Sequence, residues 1–113
     1  MTTETSNIDI TKYQGLNFNE CCNEVLKCKN QIGYMQIAKG YASAGRDLHW
    51  RHSGDALKKA QKTQALYILN NIAQWRGDNA TKVRISLKLI GGVKLKPNEK
   101  KWIEAEMVRL KTA

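Results

Sequence analysis

The stretch from Asn79 to Pro97 reads Asn-Ala-Thr-Lys-Val-Arg-Ile-Ser-Leu-Lys-Leu-Ile-Gly-Gly-Val-Lys-Leu-Lys-Pro, and it carries two incompatible patterns. On a helical period Ala80, Val83, Leu87 and Ile90 form one apolar stripe, with Asp78 or Asn79 as a cap before it and Gly91 as a stop after it. On a two-residue period Val83, Ile85, Leu87 and Leu89 alternate with Arg84, Ser86 and Lys88, and Gly91-Gly92 becomes a hairpin turn into Val93-Lys94-Leu95-Lys96. The signals at both ends agree with the helix, and the chain before them supplies only helices to pack against. The expectation is an all-α fold, a compact bundle of three or four helices. An α+β fold with a β-hairpin over residues 82–96 is the alternative.

Working outward, Phe18, Cys21, Val25, Cys28, Ile32 and Met35 recur at spacings of three and four, while Tyr34, Ile37, Tyr41 and Ala44 open a second seam. The spacing predicts one long helix over residues 17–44, capped by Asn17 or Asn19 and ended by a left-handed Gly45. Gly33 and Gly40 inside it point to a bend or a close crossing. Arg46 to Gly54 breaks the period and reads as a connection, after which Ser53 can cap a second helix. That helix carries Leu57, Ala65, Ile68, Ile72 and Trp75 as its stripe and is expected to end at Gly77. Pro97 opens a final helix with Glu99 in its first turn and Ile103, Met107 and Leu110 on its apolar face. Residues 1–16 are polar and without a period, and they read as a mobile arm beside a single helical domain over 17–113.

At 113 residues the chain buries roughly 65% of its unfolded surface, enough for one core and too little for separate cofactor and substrate domains. Its longest apolar run, Ala65 to Leu69, falls far short of the ~18 residues of a membrane span. The N-terminus has neither the basic start nor the apolar stretch of a secretory signal. Three cysteines, Cys21, Cys22 and Cys28, form an odd and closely spaced set, which suits a reducing cytoplasm better than a disulfide framework. Cys21 and Cys28 are expected as buried, metal-free thiols on the first helical seam.

The chain carries 19 Lys and Arg against 10 Asp and Glu, and the excess is unevenly placed. Residues 1–40 hold four of each sign, residues 41–76 six cations and two acids, and residues 77–113 nine cations and four acids. A basic half joined to a neutral half suits a polyanionic partner, nucleic acid before an anionic membrane. Within the basic half Ala73, Gly77 and Val83 fall at the offsets of a helix-turn-helix, a small crossing residue, a turn glycine and an apolar anchor, in a divergent form over residues 65–90. Arg76, Asp78 and Ser86 stand where that motif wants apolar residues. On this reading Thr81, Lys82, Arg84 and Lys88 face phosphates and base edges, Lys58, Lys59 and Lys62 extend the basic surface, Trp50 with Arg51 joins that surface or else packs as an anchor, and the flanking histidines pack the indole or stack on an exposed base.

His49 and His52, with Asp47 and Asp55 nearby, lack the third and fourth ligands that zinc requires, so no metal is expected. No phosphate-cradling glycine loop, H-E-x-x-H or nucleophile elbow is present, and Glu104 and Glu106 fall on different faces of a helix. The expectation is therefore a non-catalytic, cofactor-free binder of nucleic acid, with double-stranded DNA ahead of RNA, whose size and charge also suit a regulatory protein of a phage or mobile element. The rival class is an inhibitor or adaptor docking on an acidic protein. The two seams of residues 17–44 could equally serve a protein partner or self-association.

Overall fold

The computed structural model describes residues 9–29 and 33–112. They form five α-helices and no strand: α1 Phe18–Lys27, α2 Gly33–Arg46, α3 Gly54–Asn70, α4 Asp78–Gly91 and α5 Pro97–Thr112, with short 3₁₀ turns at Ile10–Lys12 and Leu48–Trp50. They divide into two compact units, residues 15–94 and residues 9–14 with 95–112.

The fold of the larger unit is a ring. α1 packs on α2, α2 on α3 and α3 on α4, and α4 returns to α1. Its core is made of Phe18, Cys21, Cys22 and Val25 from α1, Met35, Ala38 and Ala42 from α2, Ala65 and Ile68 from α3, and Ala80, Val83 and Leu87 from α4. Each wholly buried aliphatic side chain of this set contributes on the order of 1.5 to 3 kcal/mol. α1 starts with a capping box, in which Asn17 Oδ1 accepts from Glu20 N at 2.8 Å and Glu20 Oε1 from Asn17 N at 2.9 Å.

The segment read as one helix over 17–44 is two. Cys28 is already extended, with φ −61° and ψ 128°, and α2 begins anew at Gly33. Ile32 of the expected seam lies outside the described residues. The break lets α2 pack back on α1, so both apolar faces meet the same core, which a straight helix of that length could not achieve. Neither Gly33 nor Gly40 marks a close crossing, since a Cβ at either would meet nothing within 4 Å. The close approach is at Gly45, which is helical rather than left-handed. A Cβ there would stand 2.8 Å from Phe18 Cζ.

α3 also ends earlier than expected, at Asn70 rather than Gly77, because Asn71 leaves helical geometry and its Nδ2 donates to Tyr67 O at 2.8 Å. Ile72 and Trp75 still reach the core, but from an irregular link over residues 71–77. The helix-turn-helix reading gains no support from this geometry. The link is longer than the three or four residues of that motif's turn, and Ala73 is exposed instead of sitting at a helix crossing. Gly77 has φ +112° and ψ 166°, a conformation essentially reserved for glycine. Ser53 occupies the cap position of α3 without a side-chain hydrogen bond.

The ambiguous stretch is helical. α4 runs to Gly91, and Gly92 closes it in the left-handed conformation, φ 73° and ψ 25°, while Val93 N donates to Lys88 O at 2.8 Å. Ser86, which the motif reading wanted apolar, is buried because its hydroxyl has two partners. It accepts from Leu16 N at 2.9 Å and donates to Lys82 O at 2.7 Å.

In the smaller unit Pro97 opens α5 as expected, and the Glu99 carboxylate accepts from Lys96 N at 2.7 Å. Tyr13 meets Trp102 edge to face with centroids 6.2 Å apart. Of the expected arm, residues 1–8 lie outside the described residues, whereas Asp9 caps the turn that follows it by accepting from Thr11 N at 3.0 Å.

Candidate nucleic-acid interface

Lys58, Lys59 and Lys62 lie three and four residues apart on α3, so they share one face, and all three are exposed. Ala65 and Ile68, further along the helix and on a neighbouring face, are buried in the core. Lys62 reaches over the C-terminal turn of α4, its Nζ 3.5 Å from the point a Cβ of Gly92 would occupy. Lysine beside the negative end of a helix dipole is favourably placed.

The connection before α3 holds the second group. Its 3₁₀ turn packs against both α2 and α3. Leu48 turns inward, leaving His49, Trp50, Arg51 and His52 exposed. Trp50 is 78% exposed, so it is no packing anchor. The turn is nevertheless well held: Trp50 N donates to Asp47 O and Arg51 N to Leu48 O, both at 3.0 Å. His49 Nδ1 lies 2.9 Å from Arg46 O, and its ring sits 4.7 Å from the indole at an interplanar angle of 37°.

The four residues expected on α4 are placed differently. Thr81, Lys82, Arg84 and Lys88 are half-buried rather than projecting. The Thr81 hydroxyl donates to Gly77 O at 3.1 Å, and Arg84 bonds the Trp75 carbonyl and, at 3.4 Å, Thr81 Oγ1. The guanidinium thus satisfies a carbonyl of the irregular link. Lys82 faces Glu24, whose carboxyl is held below its ordinary range first by hydrogen bonds from Lys27 and Asn79 and also by the charges of Lys27 and Lys82. Trp50, Arg51, Lys58, Lys59 and Lys62 are thus exposed on adjoining elements, while Thr81 and Arg84 are half-buried and bonded within their own chain. His49 lies against the indole, as expected of the histidines that flank Trp50 and Arg51.

A groove of about 450 Å³ opens elsewhere, between Leu16, Glu20, Glu24, Leu26, Lys27 and Arg46. Its charges are already matched, with Lys27 Nζ 3.0 Å from Glu24 Oε2, so it has no pull on a polyanion. Among the described residues no three His, Cys, Asp or Glu side chains are grouped to hold a metal ion, and no helix is long and apolar enough to cross a membrane.

The buried thiol pair is Cys21 and Cys22, whereas Cys28, expected as buried, is half-buried at the end of α1. Burial pushes the Cys21 and Cys22 thiols up to about 12. In the unfolded chain both would titrate near 9.0, so between that pH and 12 the folded state holds protons that the unfolded state has released. Stability contributed by the two thiols is full below pH 9 and declines as pH rises through this window. Urea unfolding should show a midpoint that falls above pH 9, with a shallower fall in the Cys21→Ala/Cys22→Ala variant. Equal slopes would contradict the burial. Iodoacetamide should modify Cys28 well before the other two.

Compared with protein-family models, with characterised proteins and with solved structures, the chain matches none.

Proposed function

We propose that this chain is a non-catalytic nucleic-acid-binding protein, with DNA ahead of RNA as its partner. The observation that carries the reading is the exposed lysine face of α3 beside a connection that presents Arg51 and Trp50 to solvent. Lysine ammonium groups act on phosphates as point charges and gain affinity by counterion release, without needing a reading helix in a groove. The divergent helix-turn-helix has no part in this binding mode, because Arg84 and Thr81 are committed to their own chain.

The test is a salt titration of binding to unrelated duplex DNA. Combined Lys58→Glu, Lys59→Glu and Lys62→Glu substitution should weaken binding and reduce the slope of log affinity against log salt by about one for each phosphate that is no longer neutralised. The fold should persist, since all three side chains are exposed. Lys29→Glu, on the neutral side of the chain, should change little. Unchanged affinity in the triple variant would remove the proposal.

A second reading draws support from a different surface. Ile37 is 54% exposed, and Tyr41 stacks on Tyr67 with centroids 5.2 Å apart, giving an aromatic and aliphatic patch from α2 and α3. That patch suits a protein partner or self-association, and it moves ahead if no DNA is bound at low salt.

A further inference from the structure

We propose that Trp50, braced by His49, stacks on unpaired bases, so that this surface takes single-stranded DNA in preference to duplex. The inference rests on the nucleic-acid reading above and narrows it to one form of the polymer.

Three observations converge. The first is the exposure of the indole. Trp75 is 9% exposed and Trp102 is half-buried against Tyr13, whereas Trp50 keeps 78% of its surface in water. An indole left in solvent on a hydrogen-bonded turn forgoes burial that the other two obtain, and a ligand with a flat apolar face would supply that burial.

The second is preorganisation. Backbone hydrogen bonds fix the turn, His49 is tied to Arg46 O, and the imidazole lies against the indole. Little freedom of the turn remains to be lost when a base stacks, which favours binding.

The third is the set of groups nearby. Gly54, the start of α3, stands four positions after Trp50, at most about 14 Å of extended chain, and Lys58 follows one turn later. Arg51 and the lysines can thus hold the phosphates of a strand whose base meets the indole. Bases in a duplex already stack on one another, and reaching one costs a few kcal/mol of unstacking. An unpaired base presents its face without that cost, and every base has one, so the contact is tolerant of sequence. The half-buried Arg84, bonded to the Trp75 carbonyl, leaves α4 without the projecting arginine that groove reading would use.

The experiment compares the full chain on a labelled single strand of mixed sequence and on the duplex of the same sequence, across a salt series. The wild type should bind the single strand more tightly. Trp50→Ala should weaken single-strand binding about 5- to 150-fold, equivalent to ~1 to 3 kcal/mol, with a clearly smaller loss on the duplex and an unchanged melting temperature. Trp50→Phe should recover most of that affinity. If Trp50→Ala binds the single strand as well as wild type, or weakens both forms equally, while the α3 lysine variant weakens both, the stacking inference falls and the electrostatic reading stands. Absence of binding to either form at low salt removes both.

Discussion

Phe18→Ala is expected to lower the free energy of unfolding by ~3 to 5 kcal/mol, the usual cost of emptying a packed phenylalanine site. Phe18 is the first residue of α1, only 5% exposed, and its ring occupies the gap that Gly45 leaves on α2. A Cβ at position 45 would meet Phe18 Cζ at 2.8 Å, Phe18 Cε2 at 3.1 Å and Gln64 Cγ at 3.2 Å. The ring is rigid and cannot give way as a flexible chain end would. Gly45→Val should therefore cost ~1 to 3 kcal/mol by overpacking, despite glycine being a poor helix former. The two sites are one joint, so their effects should not add. In the Phe18→Ala/Gly45→Val variant the valine grows into space the ring has vacated, and the combined destabilisation should be smaller than the sum by more than ~0.5 kcal/mol. Urea unfolding of the four proteins in this cycle measures the coupling, and an additive result would contradict the packing of ring against glycine.

Leu87→Ala should cost ~2 to 5 kcal/mol, while Leu89→Ala should stay within about 0.5 kcal/mol of wild type. Leu87 is fully buried in the core of the larger unit, and Leu89, two residues on, is 43% exposed. The contrast separates the two ways of reading this stretch, because strand alternation would put both leucines on one face and make the two costs similar. Denaturant midpoints with unchanged slopes would report the difference as stability alone.

The competing two-residue pattern has a physical origin. Ala80, Val83 and Leu87 face the core of the larger unit, and Ile85 and Ser86 are buried as well, so α4 is covered over much more than one stripe. Burial on more than one side makes Val83, Ile85 and Leu87 look alternating even though the backbone is helical. The end signals point the right way because they depend on local backbone geometry, above all Gly92 at φ 73°.

Breaks are harder to see than helices. Apolar spacing of three and four continues across residues 28–32 and again from Ile68 through Ile72 to Trp75, because every segment must turn its apolar residues to the same core whether or not the helix continues. Only Gly33 and the pair Asn70-Asn71 hint at those interruptions, and each is also tolerated within a helix. The site divides the same way. Lys58, Lys59 and Lys62 are charged residues of a single helix, and their exposure is readable in the sequence. The course of Arg84 is not, since its acceptor, the Trp75 carbonyl, is positioned by a link whose shape is tertiary.

The hydrogen bond from Leu16 N to Ser86 Oγ joins residues separated by seventy positions, at the point where α4 returns to α1. During synthesis the chain emerges from its N-terminal end, so α1 can meet α2 early but lacks its second neighbour until Gly91 has been made. The last helix of the ring therefore completes the site in which the first one is held. Closure of the ring waits on α4, and without it the apolar side of α1, including Phe18 and Val25, is only partly covered.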